Sequence, residues 1–508
     1  MRARNVAAIL GVSLASCPTV LLAETLYRLT EIGTLGGNYV SVQDMNAKGQ
    51  LTGWSITSDG SRHAFLWDGR NLIDLGTLGG NESQGDRINN SGEVAGSSTF
   101  RADGVATHAF LWSGSQMRDL GSLGRNYGYV RGINSSGQVA GIACHSGPVE
   151  EEPCTALVWD GAATRQPRPD SAGQSYGIDI DATGRVLINQ LISDENYYPL
   201  LWASGHVRNI PTLGGEDAYG VDVNASGQVA GSSQVPNDAL YHAFFWDGSV
   251  TRDLGTLDAR GSFAHALNDR GQVTGYLYFH EELHHAFLWD GAQMHDINPS
   301  GSDDSHALAI NALGHVTGYY YVAAQDRNLA FLWDGNQSSN LNDRIDPQDP
   351  LRPHVVLNEG VDINKRGQVA ANGRDSRVVG FGQRGYVVTP LEYQIAFVGP
   401  AKNSSWKRTS RIPVKIALVD NAGKRITDAR AKSLIGTPCK VKFSANGAQD
   451  RSPACMGYNE ATNEFYFNWI PGATAEPGVT RLRGAASYKF SMPQAVTTTR
   501  SRAITITP

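Results

Sequence analysis

The chain lacks features that would place it in several common classes of protein. Of its 508 residues only 18% are charged, below the roughly one quarter usual in soluble domains. Aromatic residues make up 9%, and together these values exclude an intrinsically disordered chain. After the N-terminus no apolar run approaches about 20 residues, the length that a membrane-spanning helix needs. We therefore expect no transmembrane segment in the mature chain.

Lysine is scarce in the first three quarters of the sequence. Residues 24–390 contain 42 acidic and 24 basic residues, of which only Lys48 and Lys365 are lysines. Residues 391–508 reverse the balance, with 7 acidic and 17 basic residues. The change of sign predicts a domain boundary near residue 390. The acidic part argues against nucleic acid as a partner, and the basic tail fits contact with an anionic envelope polymer or with the acidic part itself.

Cysteine is also rare, with five in the chain. Cys144 and Cys154 are close in sequence, as are Cys439 and Cys455, and in an exported chain such pairs predict two disulfides. Neither pair has the CxxC spacing of a zinc site, so we expect no metal there.

Residues 1–23 have the pattern of an export signal, a basic start and a short apolar stretch that ends at Pro18. Cleavage after Ala23 would release the mature chain. A second interpretation stays open, because Leu14 to Cys17 resembles a lipobox, after which Cys17 would carry a lipid anchor. Both interpretations place the protein outside a bacterial cytoplasm, as a secreted, periplasmic or cell-surface protein.

The sequence is rich in glycine, with 57 residues, and it contains an internal repeat with a period of about 44 residues. One half of the repeat is Ile-Asn-x-x-Gly-x-Val-x-Gly and the other is His-Ala-Phe-Leu-Trp-Asp-Gly. The asparagine position recurs at Asn46, Asn89, Asn134, Asp181, Asn224, Asn268, Asn311 and Asn364. Each repeat contains four strand-like runs, A to D, separated by turn signals. Four short antiparallel strands at this period predict one blade of a β-propeller.

The ends of the repeated region predict how the ring closes. Residues 27–37 have the pattern of a strand D and its glycine-rich exit, without the three strands that should precede them. The eighth repeat has no strand D of its own. We therefore predict that the N-terminal strand completes the last blade, giving an all-β domain of eight blades over residues 24–390. Seven blades remain an alternative, because the repeat at Asp181 and the last repeat are irregular.

These motifs resemble those of the HAF-repeat family of exported bacterial proteins, named for the His-Ala-Phe of strand C. The resemblance covers roughly residues 27–390, and the matching triplets begin at His63, His108, His242 and His285. The third, fourth, seventh and eighth repeats lack the histidine. The resemblance implies an exported protein of this type and brings no particular activity with it.

Residues 391–508 do not repeat, and alternating runs such as residues 465–469 predict a β-sandwich. The segment resembles the PxKF-type immunoglobulin-like domain found at the C-termini of exported bacterial proteins. Residues 413–416 carry that motif with Ile416 in place of the phenylalanine. The resemblance implies an immunoglobulin-like domain that tethers or spaces the first domain.

Two motifs of hydrolytic enzymes occur in contexts that do not suit their chemistry. His280 to His284 matches HExxH, in which a helix presents both histidines to zinc, but it lies in a short loop between strands B and C. Gly173 to Gly177 matches GxSxG, whose nucleophile elbow needs a strand, a sharp turn and a helix, but it leads into a strand A. We expect two chance matches, with a weak surface metal site using His280 and His284 as the remaining alternative.

The candidate ligand-binding residues lie on the loops that join B to C and D to A, which vary while the other turns are short and uniform. Function usually resides on variable loops held by a rigid scaffold. Exposed tyrosine near aspartate and histidine suits stacking on sugars or docking a protein. The residues selected are Tyr276, Tyr278, His280, Asp304, Tyr319, Tyr320 and Tyr321. The alternative is that these tyrosines are β-formers that cover blade edges.

The sequence thus predicts a monomeric, non-catalytic exported protein that binds a glycan, an envelope polymer or another surface protein, without cofactor or metal. The alternative is a carbohydrate-active hydrolase or lyase with acids in the D–A loops, namely Asp217, Asp303 and Asp304. No pair of carboxylates stands out in the sequence, which favours the first interpretation. We expect the histidines of the HAF triplets to form hydrogen bonds within their own blades, beside the tryptophans.

Overall fold

The computed structural model describes residues 26–100, 106–145, 154–168, 173–192, 196–236, 240–280, 283–302, 304–378, 380 and 382–391, and beyond them the backbone of nine strands. The leader with Cys17 lies outside the described residues. The described chain divides into two compact units, one of Tyr27–Pro390 and one that holds Leu391 and the strands after it. Within these ranges no helix is long and apolar enough to cross a membrane.

The described residues between Tyr27 and Pro390 contain 32 strands, in four sheets of four strands and two sheets of eight. Each larger sheet consists of two antiparallel groups of four strands that one parallel bridge joins, Thr107 with Tyr127 in one sheet and His284 with Asp304 in the other. The strands therefore form eight groups of four, named units 1 to 8 here, in which strands A to D follow the sequence repeat. This is the propeller-like, all-β arrangement that the repeat predicts.

The first strand in the chain is β1 (Tyr27–Glu31). Units 1 and 2 comprise β2–β5 (Gly36–Met45, Leu51–Thr57, Arg62–Trp67, Leu72–Gly76) and β6–β9 (Ser83–Ile88, Val94–Thr99, Thr107–Ser113, Gln116–Gly121). Units 3 and 4 comprise β10–β13 (Tyr127–Ile133, Val139–Cys144, Thr155–Trp159, Thr164–Arg165) and β14–β17 (Ser175–Ile180, Val186–Leu191, Tyr197–Ala203, His206–Asn209).

Units 5 and 6 comprise β18–β21 (Ala218–Val223, Val229–Gln234, Tyr241–Trp246, Thr251–Asp253) and β22–β25 (Gly261–Leu267, Val273–His280, Leu283–Trp289, Met294–Asp296). Unit 7 comprises β26–β29 (Asp304–Ile310, Val316–Val322, Arg327–Trp333, Ser338–Asn340), and unit 8 contains β30–β32 (Val355–Ile363, Val369–Asp375, Arg384–Pro390). Two short 3-10 helices, Ala323–Gln325 and Leu341–Arg344, lie among these strands.

The N-terminal strand closes the arrangement. β1 lies antiparallel to β32, with Tyr27 opposite Pro390 and Glu31 opposite Tyr386, so it serves as strand D of unit 8. The carboxylate of Asp349 fixes it further by accepting a hydrogen bond from the backbone N–H of Leu29 at 2.8 Å. The prediction that this strand completes the last unit is confirmed.

The hydrophobic cores lie between neighbouring units. Strand C is buried on both faces: Phe65 and Trp67 pack towards unit 8, while Ala64 and Leu66 pack towards unit 2 against residues such as Phe110. Because successive residues of a strand point to opposite faces, the sequence Ala-Phe-Leu-Trp supplies two interfaces at once. The HAF motif therefore encodes contact between units rather than a site.

The Asn-x-x-Gly turn between strands A and B has the conformation that the sequence predicts. The Oδ1 atom of Asn268 accepts hydrogen bonds from the N–H groups of Arg270 and Gln272, each at 3.0 Å. The glycine of this turn has φ between 72° and 88° in all eight units, a range that only glycine adopts without strain.

The same asparagines link the units into what we call the asparagine belt. In seven units the side-chain amide donates a hydrogen bond to the backbone carbonyl oxygen of the corresponding residue in the next unit, at 2.9–3.4 Å. The last of these bonds runs from Asn364 to Asn46 and returns to the start of the ring. Asp181 has no amide to donate, and there Arg185 donates to the carbonyl oxygen of Ala225 at 3.4 Å.

The disulfide between Cys144 and Cys154 joins the end of β11 to the residue before β12, which confirms the first predicted pair. The second pair lies outside the described side chains.

The tail forms two sheets. Their strands are β33 Gln394–Gly399, β34 Ser405–Lys407, β35 Ile412–Val419, β36 Lys442–Asn446, β37 Ala454–Cys455, β38 Gly457–Asn459, β39 Glu464–Trp469, β40 Ala485–Ser491 and β41 Ala503–Thr507. One sheet has the order β33-β35-β39-β38 and the other β34-β41-β40-β36-β37. The tail is thus all-β in its described part.

Candidate functional site: the channel and its aromatic mouth

The inner strands surround a channel. A cavity of about 860 Å³ is lined by residues from strand A of every unit, which is within the size range of small-molecule sites. The asparagine belt lies at one end of these strands. The other end, where the chain enters each strand A, is named the mouth.

Each strand A carries a β-bulge at the same place. In β22 the register shifts between Ala264 and Ala266 and leaves His265 unpaired. A bulge places two residues of one strand opposite one of its partner. The bulged residues and their successors are Gln43–Asp44, Asp86–Arg87, Arg131–Gly132, Ile178–Asp179, Val221–Asp222, His265–Ala266, Leu308–Ala309 and Val361–Asp362. All except Asp86 and Gly132 line the cavity.

Two pairs of carboxyl groups face one another at these bulges. Where units 8 and 1 meet, Asp362 and Asp44 are hydrogen-bonded to each other. Each also accepts a backbone N–H from the following unit, Asp362 from Met45 at 3.2 Å and Asp44 from Ile88 at 2.7 Å. Burial, and then the charge of Asp44, raise the pKa of Asp362 to about 7. The pair therefore holds a proton up to near-neutral pH.

Units 4 and 5 repeat this arrangement with Asp179 and Asp222. Asp179 accepts the N–H of Val223 at 3.3 Å, and Asp222 accepts the N–H of Leu267 at 2.7 Å. Burial, followed by the charge of Asp179, raises the pKa of Asp222 well above its usual range. The channel thus contains two carboxyl pairs that like-charge repulsion prevents from ionising fully together.

The guanidinium of Arg87 lies near both pairs. The charges of Asp44, Asp86, Asp179 and Asp362 all act on it and, against the opposing effect of burial, raise its pKa. The side chain of Arg87 is accessible to solvent, but only from within the channel. Solvent therefore screens these charges in part, and Arg87 partly compensates the acidity of the channel.

The sequence predicted no pair of carboxyl groups, and the structure corrects this. Asp44 and Asp362 are far apart in the chain and meet only because unit 8 adjoins unit 1. The repeat does contain a pattern that indicates these pairs: an aspartate lies two residues before the belt position in units 1, 4, 5 and 8. In a closed ring, unit 8 is the neighbour of unit 1, and unit 4 is the neighbour of unit 5.

The mouth is built mainly from aromatic residues on one side. The residues five positions before the belt are Ser41, Gln84, Tyr129, Tyr176, Tyr219, Phe263, His306 and Glu359. Units 3 to 7 thus present an aromatic ring at this position. Of the set, Tyr176, Tyr219 and Glu359 line the cavity.

Two residues of this set, Tyr219 and Phe263, lie next to three further aromatic residues. We call these five residues the aromatic wall: Tyr219, Tyr241, Phe263, Tyr276 and Tyr319. The ring centroids of Tyr219 and Tyr241 lie 5.6 Å apart, those of Tyr241 and Phe263 5.6 Å, and those of the stacked pair Phe263 and Tyr276 5.0 Å. His306 links Tyr276, at 4.6 Å, to Tyr319, at 5.1 Å. These half-buried rings form one continuous surface across units 5 to 7.

A buried carboxylate orients one end of the wall. Asp217 is only 4% exposed and accepts hydrogen bonds from the hydroxyl of Tyr241 and from the backbone N–H of Tyr197. Burial, and then this bond, raise the pKa of Tyr241. Asp217 was a candidate catalytic acid from the sequence. In the structure both of its carboxylate oxygens accept hydrogen bonds from tyrosine residues, so its role is to position them.

The structure brings together four of the residues selected from the sequence. Tyr276, Tyr278 and Asp304 lie around His284: the ring centroids of the two tyrosines are 5.3 and 5.6 Å from its ring, and Asp304 contacts its Nδ1 at 2.8 Å. Tyr319 stacks on the neighbouring His306. Sequence reasoning missed His306, although its position five residues before the belt places it at the mouth.

The remaining selected residues lie elsewhere. His280 is exposed at the end of β23, opposite Leu283, and the hydroxyl of Tyr321 donates to Asp326 at 2.7 Å. Tyr320 is 7% exposed and packs in the core between units 6 and 7. The expectation of three exposed tyrosines in a row is wrong for Tyr320, because neighbours in a strand face opposite sides.

The two enzyme motifs lie on β-structure. His280 and His284 belong to adjacent strands of a hairpin, β23 and β24, so no helix presents them to a metal together; Glu281 and Glu282 lie outside the described residues. The hydroxyl of Ser175 is buried in a strand and accepts the N–H of Ala156 at 3.0 Å. Neither match has the geometry of its motif.

The histidines of the HAF triplets bond within their own units, as predicted. Their Nδ1 atoms lie 2.7–2.9 Å from a carboxylate oxygen of strand D. The pairs are His63–Asp74, His108–Asp119, His242–Asp253 and His285–Asp296.

No protein-family model and no curated protein sequence matches this chain significantly. Among solved structures, it is similar to the β-propeller domain of the Trilobed protease from Pyrococcus furiosus, at 14% identity over 65% of this chain and 98% of that one, with a TM-score of 0.41. It is also similar to TolB from Acinetobacter baumannii (11% identity, 48% and 61% coverage, TM-score 0.29) and to a lectin from Aleuria aurantia (12% identity, 63% and 96% coverage, TM-score 0.26). At such values these similarities say nothing about activity.

Proposed function

We propose that this protein is an exported eight-bladed propeller of the HAF-repeat type that binds a saccharide at the aromatic mouth of its channel, without catalysis. The observation that carries the proposal is the aromatic wall. Its five rings form one series in which His306 links Tyr276 to Tyr319. Each ring is only half-buried, so part of each ring stays accessible to a ligand.

The chemistry of the mouth suits a sugar better than a purely apolar ligand. Aromatic rings with a polar edge offer both an apolar face and a hydrogen-bonding group, and a saccharide has the same two kinds of surface. Polar side chains that can bind hydroxyl groups, such as those of Gln43 and Glu359, line the same cavity as Tyr219. A few such groups among aromatic residues are typical of ligand pockets.

The wall is also held in place before any ligand binds. Its residues lie on paired strands of units 5 to 7, and Asp217 fixes the hydroxyl of Tyr241. A rigid site loses less conformational entropy on binding.

The parts outside the ring complete the proposal. We propose that residues 391–508 form the PxKF-type immunoglobulin-like domain and act as a spacer or tether, and that residues 1–23 direct export, with Cys17 as the alternative lipid anchor. Metabolic labelling with a radioactive fatty acid tests the anchor: a label that Cys17→Ser removes supports lipidation, and an unlabelled wild type supports simple cleavage.

A glycan array probed with the purified full chain tests saccharide binding. We expect selective binding to a small set of glycans, weakened about fivefold or more by Tyr276→Ala, since a stacked ring contributes about 1 kcal/mol or more to such contacts. The matched control is Tyr39→Ala, which removes a tyrosine of unit 1 whose ring stacks on Trp54 at 4.9 Å. Absence of glycan binding, or equal loss in both variants, would contradict the proposal.

The carboxyl pairs favour a second candidate, a carbohydrate-active enzyme. A carboxyl group that keeps its proton near neutral pH can act as a general acid, and its ionised partner as a base or nucleophile. Release of reducing ends from polysaccharides by the wild type, lost in Asp362→Asn or Asp222→Asn, would establish catalysis. We place this candidate second because all four carboxyl groups already accept backbone N–H groups across unit boundaries.

A further inference from the structure

Beside the aromatic wall, two histidines converge on one aspartate where units 6 and 7 meet. The Nδ1 atom of His284 lies 2.8 Å from Oδ1 of Asp304, and the Nε2 atom of His306 lies 3.3 Å from the same oxygen. One ligand atom from each residue lies within 4.8 Å of the other two. The side chains are 18–27% exposed, so the cluster is enclosed but open to solvent.

The β-ladder explains why these three residues meet. His284 of β24 and Asp304 of β26 are the pair that forms the parallel bridge between units 6 and 7. His306 lies two residues beyond Asp304 in the same strand and therefore on the same face. Sites built on strands are held more precisely than sites on loops, so the backbone holds the three residues next to one another.

This cluster differs from the other histidine–aspartate contacts of the described residues. In the four HAF pairs, and in the pair of His295 with Asp290 at 2.8 Å, a carboxylate contacts a single imidazole. Those pairs are satisfied as hydrogen bonds. At Asp304 two imidazole nitrogens face one carboxylate oxygen, and this is the only group of three or more such ligands found in the described part of the chain.

Aromatic rings fix the orientation of both imidazoles. Tyr319 stacks on His306 with centroids 5.1 Å apart, and Tyr276 meets His284 edge-on at 5.3 Å. Ser302 accepts the backbone N–H of Asp304 at 3.2 Å and donates to its carbonyl oxygen at 2.8 Å. These contacts restrain the three side chains before any ion binds.

We propose that His284, Asp304 and His306 bind one divalent transition-metal ion, with zinc as the first expectation. Two imidazoles and a carboxylate are nitrogen and oxygen ligands of the kind that zinc and ferrous iron accept. Three protein ligands leave at least one coordination position for water or for a bound molecule. The proposal stands apart from saccharide binding, because the metal can be titrated with no sugar present.

Isothermal titration of the full chain with zinc chloride tests this. The protein is prepared without a polyhistidine tag and treated with a chelator beforehand. We expect one equivalent to bind, and His306→Ala to weaken binding at least about tenfold. The matched control is His295→Ala, which removes a histidine of unit 6 from an aspartate with no second imidazole. Absence of binding at about 100 µM zinc, or equal binding in His306→Ala, would overturn the proposal.

A second measurement covers the case in which His306→Ala does not fold. X-ray absorption at the zinc edge of the loaded wild type should show light-atom ligands with outer-shell scattering from two imidazoles. Zinc should also raise the midpoint of thermal unfolding of the wild type and leave that of Asp304→Asn almost unchanged. A spectrum without imidazole scattering, or an equal thermal shift in Asp304→Asn, would contradict the assignment.

Discussion

The two ends of the channel are made from the same eight strands but from different kinds of residue. At the belt end, one residue type recurs in seven of eight units, and its side chain satisfies the turn of its own unit and a carbonyl oxygen of the next. At the mouth, the corresponding position holds eight side chains that range from Ser41 to Phe263 and Glu359.

This difference separates scaffold from site. A belt asparagine has every polar atom engaged by the backbone, so a change there disturbs two units at once. A mouth residue lies where each strand enters the ring and makes contacts mainly through its side chain. The repeat can therefore vary at the mouth without losing the ring.

The largest effect on stability is expected at the belt. Asn268→Ala would remove the cap of its turn and the bond from its amide to the carbonyl oxygen of Asn311 at 2.9 Å. Leaving buried backbone groups unsatisfied costs about 1–3 kcal/mol each, so we expect the free energy of unfolding to fall by about 2–4 kcal/mol in urea denaturation. Asn71→Ala, at an exposed turn between strands C and D, is the control. A belt variant as stable as the control would remove the distinction between the two ends.

An intermediate effect on the free energy of unfolding is expected for substitutions at the carboxyl pairs, which lie between the two ends of the channel. The pKa of Asp362 is raised to about 7 in the folded protein, above its ordinary unfolded value of about 3.9. The folded state thus binds the extra proton, and its contribution to stability is complete below about pH 4 and is lost as the pH rises through about 7.

Asp362→Asn tests this sign. The side chain at position 362 of the variant cannot titrate. Between pH 5 and 8 the stability of the variant should therefore rise relative to the wild type by up to about 2–3 kcal/mol, and by less to the extent that solvent screens the pair, as measured by urea denaturation at each pH. Asp258→Asn, at an exposed site, should run parallel to the wild type. If the Asp362→Asn and wild-type profiles were parallel too, the carboxyl group would be ionised throughout.

The smallest effect is expected at the outer edge of the units. His242 and Asp253 form a hydrogen-bonded pair with side chains 20% and 42% exposed. Pairs this exposed contribute about 0.2–1 kcal/mol, so His242→Ala should lower the midpoint of thermal unfolding only slightly. If His242→Ala lowered the stability as much as Asn268→Ala, the HAF histidines would contribute as much to the stability of the scaffold as the belt asparagines.

The sequence predicted what is local or periodic. The turns, the HAF contacts and the closing strand β1 follow from residues within one repeat or from a repeat with one strand missing. The carboxyl pairs and the wall could not be predicted in the same way, because Asp44 meets Asp362, and Tyr241 meets Phe263, only through contacts between units. Tyr320 shows the converse: a run of tyrosines in sequence is divided between two faces by the strand.

The most direct test of the account measures Tyr276→Ala and Asn268→Ala side by side, for thermal unfolding and for glycan binding at a temperature where both are folded. The account predicts a crossed result. Tyr276→Ala should lose binding while unfolding close to the wild type, and Asn268→Ala should unfold at a clearly lower temperature while binding the same glycans. If both variants lost both properties, or if Tyr276→Ala lost only stability, the mouth would not be the ligand site of this scaffold.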